Sequence, residues 1–196
     1  MIFRTVVLFG LLGFPALPAA AQQSAVPPEL IAVRTLLDKY RDPILAVHDG
    51  YLSSVACIEY PKGAIEGSMK YPAGGMGVHF LNFQNIGPTL DPSKPQVLIY
   101  EPVGDSLRLV AAEWFMPAEL VGAGASRPTV FGQELQGPME GHAPLMPPGF
   151  HHYDLHVWLW KDNPEGVFSP TNPALRCPAR GYSFAEAPPK MAHPHK

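Results

Sequence analysis

Apolar and polar residues change rhythm three times along the chain. Leu30, Val33, Leu37 and Tyr40 recur at close to 3.6-residue spacing, which predicts a helix over about 29–41. Asp42-Pro43 reads as an N-cap followed by proline at the first helical position, opening a second short helix over about 43–49. Gly50 suits its stop, and Lys39 and Arg41 sit in the last turn of the first helix, where the helix dipole favours cations. Residues 51–77 show no clear period and end in Gly74-Gly75-Met76-Gly77, so they read as loop. Strand signals follow at Val78 to Phe83, Pro95 to Glu101 and Leu107 to Met116, with Val103-Gly104-Asp105-Ser106 as a hairpin turn. A short strand is expected at Thr129-Val130-Phe131 within a Gly/Pro-rich stretch. The clearest alternation runs through 151–161. Tyr153, Leu155, Val157 and Leu159 take one face, and His152, Asp154, His156, Trp158 and Trp160 the other. Asn163-Pro164 and Asn172-Pro173 mark turns in the remainder.

These elements predict an α+β fold. A short N-terminal helical pair packs on a mainly antiparallel sheet or partial barrel, and long Pro/Gly-rich loops cover its edges. Composition narrows the picture. The 24 prolines among 196 residues leave few windows for long helices, whereas 10% aromatic content argues against disorder. A net charge of −3 offers no basic excess for phosphates, so nucleic acid is not an expected partner.

The first residues read as an address. Arg4, the apolar run Val6 to Phe14, the breakers Pro15 and Pro18, and Ala19-Ala20-Ala21 form the pattern of a secretory signal over 1–21, with cleavage after Ala21. A buried N-terminal helix or a membrane anchor are the alternatives. No later stretch is apolar for long enough to span a bilayer. The expected organisation is a flexible leader over 22–28, one α+β domain over 29–185 and a flexible tail over 186–196. The expected location is periplasmic or secreted. Disulfides persist there, and two cysteines permit one intramolecular pairing, Cys57 with Cys177. Two reduced buried thiols are the alternative. A Cys-ligated zinc site is disfavoured because no CxxC spacing occurs.

No GxGxxG, Walker A, GxSxG, HExxH or EF-hand pattern occurs. Candidate chemistry therefore comes from ionisable residues inside apolar strands. His79 and His156 lie in predicted strands, as do Glu101 and Glu113. A charge on an apolar strand face costs several kcal/mol unless it is paired or metal-bound. One expectation is that His79, Glu113 and His156 converge, with Glu101 nearby, as a site for zinc, iron or manganese or a small-molecule ligand. Another is a structural polar network in which a glutamate pairs with Arg108, Arg41 or a histidine. Such a metal site would serve a hydrolase, isomerase or oxygenase, or a binding domain without catalysis. Asp154, two residues from His156, would orient it. A separate set, Met139, His142, Met146, His151 and His152, offers thioether and imidazole donors suited to copper, and His193-Pro194-His195 could add weak affinity. Trp158 and Trp160, with Trp114, could form a ligand platform or simply core.

Several phrases occur together: Gly75-Met76-Gly77-Val78-His79, Leu90-Asp91-Pro92-Ser93-Lys94-Pro95 with Leu98-Ile99-Tyr100-Glu101-Pro102, Phe131-Gly132-Gln133, and Leu155-His156-Val157-Trp158-Leu159-Trp160-Lys161-Asp162-Asn163-Pro164. This combination resembles a family of uncharacterised secreted bacterial proteins over about 40–177. The resemblance implies an exported bacterial origin and places His79, Glu101, Glu113 and His156 at recurring positions. It implies no activity, and the 139–152 Met/His stretch is not part of it.

Overall fold

The computed structural model describes residues 27–66, 69–141, 146–147 and 149–178. The expected signal over 1–21, residues 22–26 of the leader, His142 and the tail with His193 and His195 lie outside the described residues.

Helix α1 (Pro28–Leu37) begins with proline at its first turn, so Pro28 belongs to the helix and not to a leader. A 3-10 turn, Asp38–Arg41, continues it. Leu30, Val33, Leu37 and Tyr40 are all buried, as their spacing predicts. Helix α2 (Pro43–His48) is capped by the Asp42 side chain, which accepts from the Ile44 N–H at 2.9 Å.

Among the described residues ten strands follow: β1 (Leu52–Tyr60), β2 (Ala64–Glu66), β3 (Met69–Tyr71), β4 (Gly74–Leu81), β5 (Val97–Val103), β6 (Ser106–Pro117), β7 (Thr129–Val130), β8 (Gln133–Glu134), β9 (Gln136–Glu140) and β10 (His151–Val157). Six make one antiparallel sheet in the order β1-β4-β5-β6-β10-β9. β1 and β9 are its edges among the described residues, so the sheet does not close into a barrel. The α+β expectation stands.

Expected and observed elements differ most over residues 51–77 and at the end of β10. Residues 51–77 are not a loop: they hold β1, the β2–β3 hairpin and the start of β4. β1 shifts register against β4 between Ser53 and Cys57 and again between Ile58 and Glu59, and each bulge breaks the period-two signal. Residues Gly74–Gly77 of β4 carry almost no side chains because other backbone lies against them. The C-terminal segment pairs there, Gly75 and Asn172 exchanging two N–H···O bonds of 3.0 and 2.9 Å, and a Cβ on Gly75 would meet Leu175. Lastly, β10 ends at Val157, not at Lys161. The Trp158 N–H turns to Val167 O at 2.9 Å and the Trp160 N–H to Val110 O at 3.1 Å, which takes both tryptophans off the strand face.

Helices and sheet meet on one face. Leu98, Tyr100, Ala112, Trp114, Leu155 and Val157 are buried there with Leu30, Val33 and Leu37. Tyr100 Oη donates to Tyr40 O at 2.7 Å and fixes the 3-10 turn to β5. Cys57 and Cys177 form the expected disulfide, with Cα atoms 5.6 Å apart and 120 residues of separation. It clips the C-terminal segment to β1, and the Cys177 N–H adds a 2.7 Å bond to Glu59 Oε2. No helix among the described residues is long and apolar enough to cross a membrane.

Candidate metal centre

The second sheet face carries the ionisable residues. Directly opposed residues of an antiparallel pair share a face. Glu113 of β6 lies opposite Val97 on β5 and His156 on β10, and His79 of β4 lies opposite Ile99. β5 separates β4 from β6, so the long Glu113 side chain and the His79 ring meet across it.

The distances form a row. His79 Nε2 is 3.6 Å from Glu113 Oε2, and His156 Nε2 is 3.8 Å from the same oxygen. The two imidazole rings stand at 84° with centroids 6.0 Å apart. His156 Nδ1 then faces Asp154 Oδ1 at 3.7 Å, and Asp154 Oδ2 faces His152 Nε2 at 3.4 Å. Exposure of all five residues is 4% or less. Ligand atoms of His79, Glu113 and His156 all lie within 4.8 Å of one another, the one such group of three or more His, Cys, Asp or Glu among the described residues.

Electrostatics follow from burial. Desolvation pushes the His156 pKa down, but Glu113 and Asp154 outweigh it and hold the imidazole above its ordinary value. For Asp154, desolvation opposes the charge, yet His152 and His156 outweigh it and hold the carboxyl below the usual carboxylate range. Beside the row lies a small apolar cluster of Ile58, Tyr60, Tyr71, Met76 and Met139. Tyr60 and Tyr71 stack at 4.9 Å, and Tyr71 Oη donates to Met139 Sδ at 3.1 Å. Burial, then the Asp154 charge, push the Tyr71 phenol well up, so it stays a hydroxyl.

Other sequence candidates go elsewhere. Glu101 is occupied by Lys161, whose Nζ donates to both carboxylate oxygens at 3.0 and 3.2 Å. Its partner is therefore neither Arg108 nor Arg41. Of the Met/His stretch, Met139 is buried under Tyr71, Met146 is half-buried, and His151 is exposed beside Glu140 at 3.8 Å. Successive residues of β10 point to opposite faces, so His151 and His152 diverge. His152 joins the buried row. The aromatic platform does not form: Trp114 is fully buried against Phe131, Trp158 Nε1 donates to Ser169 O, and Trp160 Nε1 donates to Asp38 Oδ1. Tyr60 and Tyr71, beside the row, carry no signal in the sequence, because register shifts break the alternation of β1 and the β2–β3 hairpin is too short to show one.

This arrangement defines an α+β protein with a buried cluster of two imidazoles and a carboxylate that could hold a metal ion. No family model, curated protein or solved structure matches the chain.

Proposed function

We propose that the protein is an exported bacterial domain that binds one divalent ion, zinc, iron or manganese, through His79, Glu113 and His156. The observation that carries this reading is the buried convergence of those ligand atoms within 4.8 Å. Tetrahedral zinc ligands at 2.0–2.1 Å stand about 3.4 Å from one another. The gaps of 3.6 and 3.8 Å close to that with small side-chain rotations. His156 Nε2 is a buried nitrogen with no hydrogen-bond partner among the described residues, an atom that a metal would satisfy. Charge supports the same reading: Glu113 and Asp154 put two buried carboxylates in the row, which one divalent cation balances. Export rests on the residue pattern of 1–21, on the disulfide and on the family resemblance.

Three protein ligands leave coordination positions for water or a small molecule. That ligand count favours one second reading, a metal-dependent hydrolase, isomerase or oxygenase in which the bound ion supplies Lewis acidity. In either case the protein's part is to fix the three donors and keep the site dry.

Calorimetric titration of Zn²⁺, Fe²⁺ and Mn²⁺ into metal-stripped protein tests the proposal. One equivalent of at least one ion is expected to bind, and His79→Ala and His156→Ala are expected to abolish it. Binding that survives both changes, or no binding by the parent, would overturn the site.

A further inference from the structure

Two buried atoms face each other just outside the candidate centre. His156 Nδ1 and Asp154 Oδ1 lie 3.7 Å apart, and neither has a hydrogen-bond partner in the described residues. The opposite ring nitrogen, His156 Nε2, is the one turned toward Glu113. Asp154 is approached from its other side, where Oδ2 lies 3.4 Å from His152 Nε2. His152 is fully buried, with its ring centroid 5.1 Å from that of Phe115 and 6.2 Å from that of Phe150. It sits opposite Pro117 on β6 and Met139 on β9, so strands flank it on both sides.

We infer that Asp154, flanked by His152, is the positioning residue of the centre: it holds a proton on His156 Nδ1 and so leaves the Nε2 lone pair for the metal. This inference rests on the metal reading above. Its physical basis is the fixed tautomer of a metal-ligating imidazole. A neutral ring carries one N–H, and whichever nitrogen donates that hydrogen leaves the other as ligand. A carboxylate at the distal nitrogen also raises ligand basicity and fixes the ring plane. The row is built for that division of labour. Glu113 stands on the Nε2 side as a ligand, and Asp154 stands on the Nδ1 side at a contact that a small ring rotation turns into a hydrogen bond. The second carboxylate oxygen, Oδ2, is turned toward the His152 ring and not toward the centre.

The test uses the whole purified protein and Zn²⁺. Nitrogen-15 NMR of the histidine rings in the zinc-loaded parent is expected to show His156 protonated at Nδ1 and metallated at Nε2. Asp154→Asn is expected to raise the zinc Kd about ten- to a hundredfold. His152→Phe, which keeps a flat ring between its aromatic neighbours, is expected to raise it by a smaller factor. Metallation of His156 through Nδ1, or a Kd within twofold of the parent in both variants, would overturn the inference while leaving the site standing. A parent that takes up no zinc overturns the site and the inference together. The ring assignment needs no substitution, so a variant that fails to fold does not remove the test.

Discussion

Glu113 is the residue on which the interior of this sheet turns. Its carboxylate is 2% exposed and lies between two imidazoles from strands on either side. Replacing it by a neutral group changes both charge and ligand set. Glu113→Gln is expected to lose divalent-ion binding while keeping the metal-free fold, because an amide of the same shape carries no buried charge to compensate. Circular dichroism with metal titration checks this, and a Gln variant that still binds one equivalent would contradict it. A second residue-scale consequence concerns Gly77, two residues before His79. Its φ is +94°, and a Cβ there would come within 2.7 Å of Tyr100 O. Gly77→Ala is expected to cost about 1–3 kcal/mol in urea unfolding, from backbone strain and from pushing β4 off β5. A change below about 0.5 kcal/mol, the range of ordinary surface substitutions, would show that β4 yields at this point.

The same face of β10 carries His152, Asp154 and His156, so that single strand places both an imidazole of the candidate site and the groups behind it. The pH response of the metal-free protein belongs to this element. Asp154 has a lowered folded pKa, so its contribution is present above the ordinary carboxylate value and is lost as pH falls through the folded one. His156 has a raised folded pKa. Its contribution is full below the ordinary value of 6.5 and is lost as pH rises through the folded one. Stability of the metal-free protein is thus expected to fall toward both acid and alkaline pH. Asp154→Asn is expected to flatten the acid limb, and His156→Gln the alkaline one. Urea unfolding between pH 3 and 9 checks this, and identical limbs in parent and variants would contradict it. Metal affinity runs the other way on the alkaline side, since the proton competes for His156.

How much of this was legible in the sequence depends on the element. α1, the part of β4 from Val78 on, β5, β6 and β10 to Val157 announce themselves in the apolar pattern, and they carry His79, Glu113, Asp154 and His156. β1 hid because two bulges scramble its alternation, and the start of β4 because glycines make room for Asn172 and Leu175. The β5–β6 pair also shifts register between Ile99 and Tyr100, which puts Leu109 opposite Tyr100 on the helix side. Partner choice was invisible too: nothing in strand periodicity says that Lys161, beyond the end of β10, takes Glu101 out of the cluster.

For the whole molecule, the order β1-β4-β5-β6-β10-β9 brings together residues from positions 79, 113 and 156, and the disulfide ties β1 to the C-terminal segment. Closing a loop of this length restricts the unfolded chain by about 5 kcal/mol in the chain-entropy account. The double change Cys57→Ser with Cys177→Ser is expected to lower unfolding free energy by up to that amount and to loosen the Asn172–Gly75 pairing. Hydrogen exchange at the Gly75 amide reports the second effect, and unchanged protection would contradict it. The central claim, a buried divalent-ion site at the crossing of β4, β6 and β10, is met most directly by anomalous diffraction at the zinc edge from crystals of the zinc-loaded protein. The expected result is one peak among His79 Nε2, Glu113 Oε2 and His156 Nε2. A peak along 139–152 or at His193 and His195, or none at all, would contradict the account.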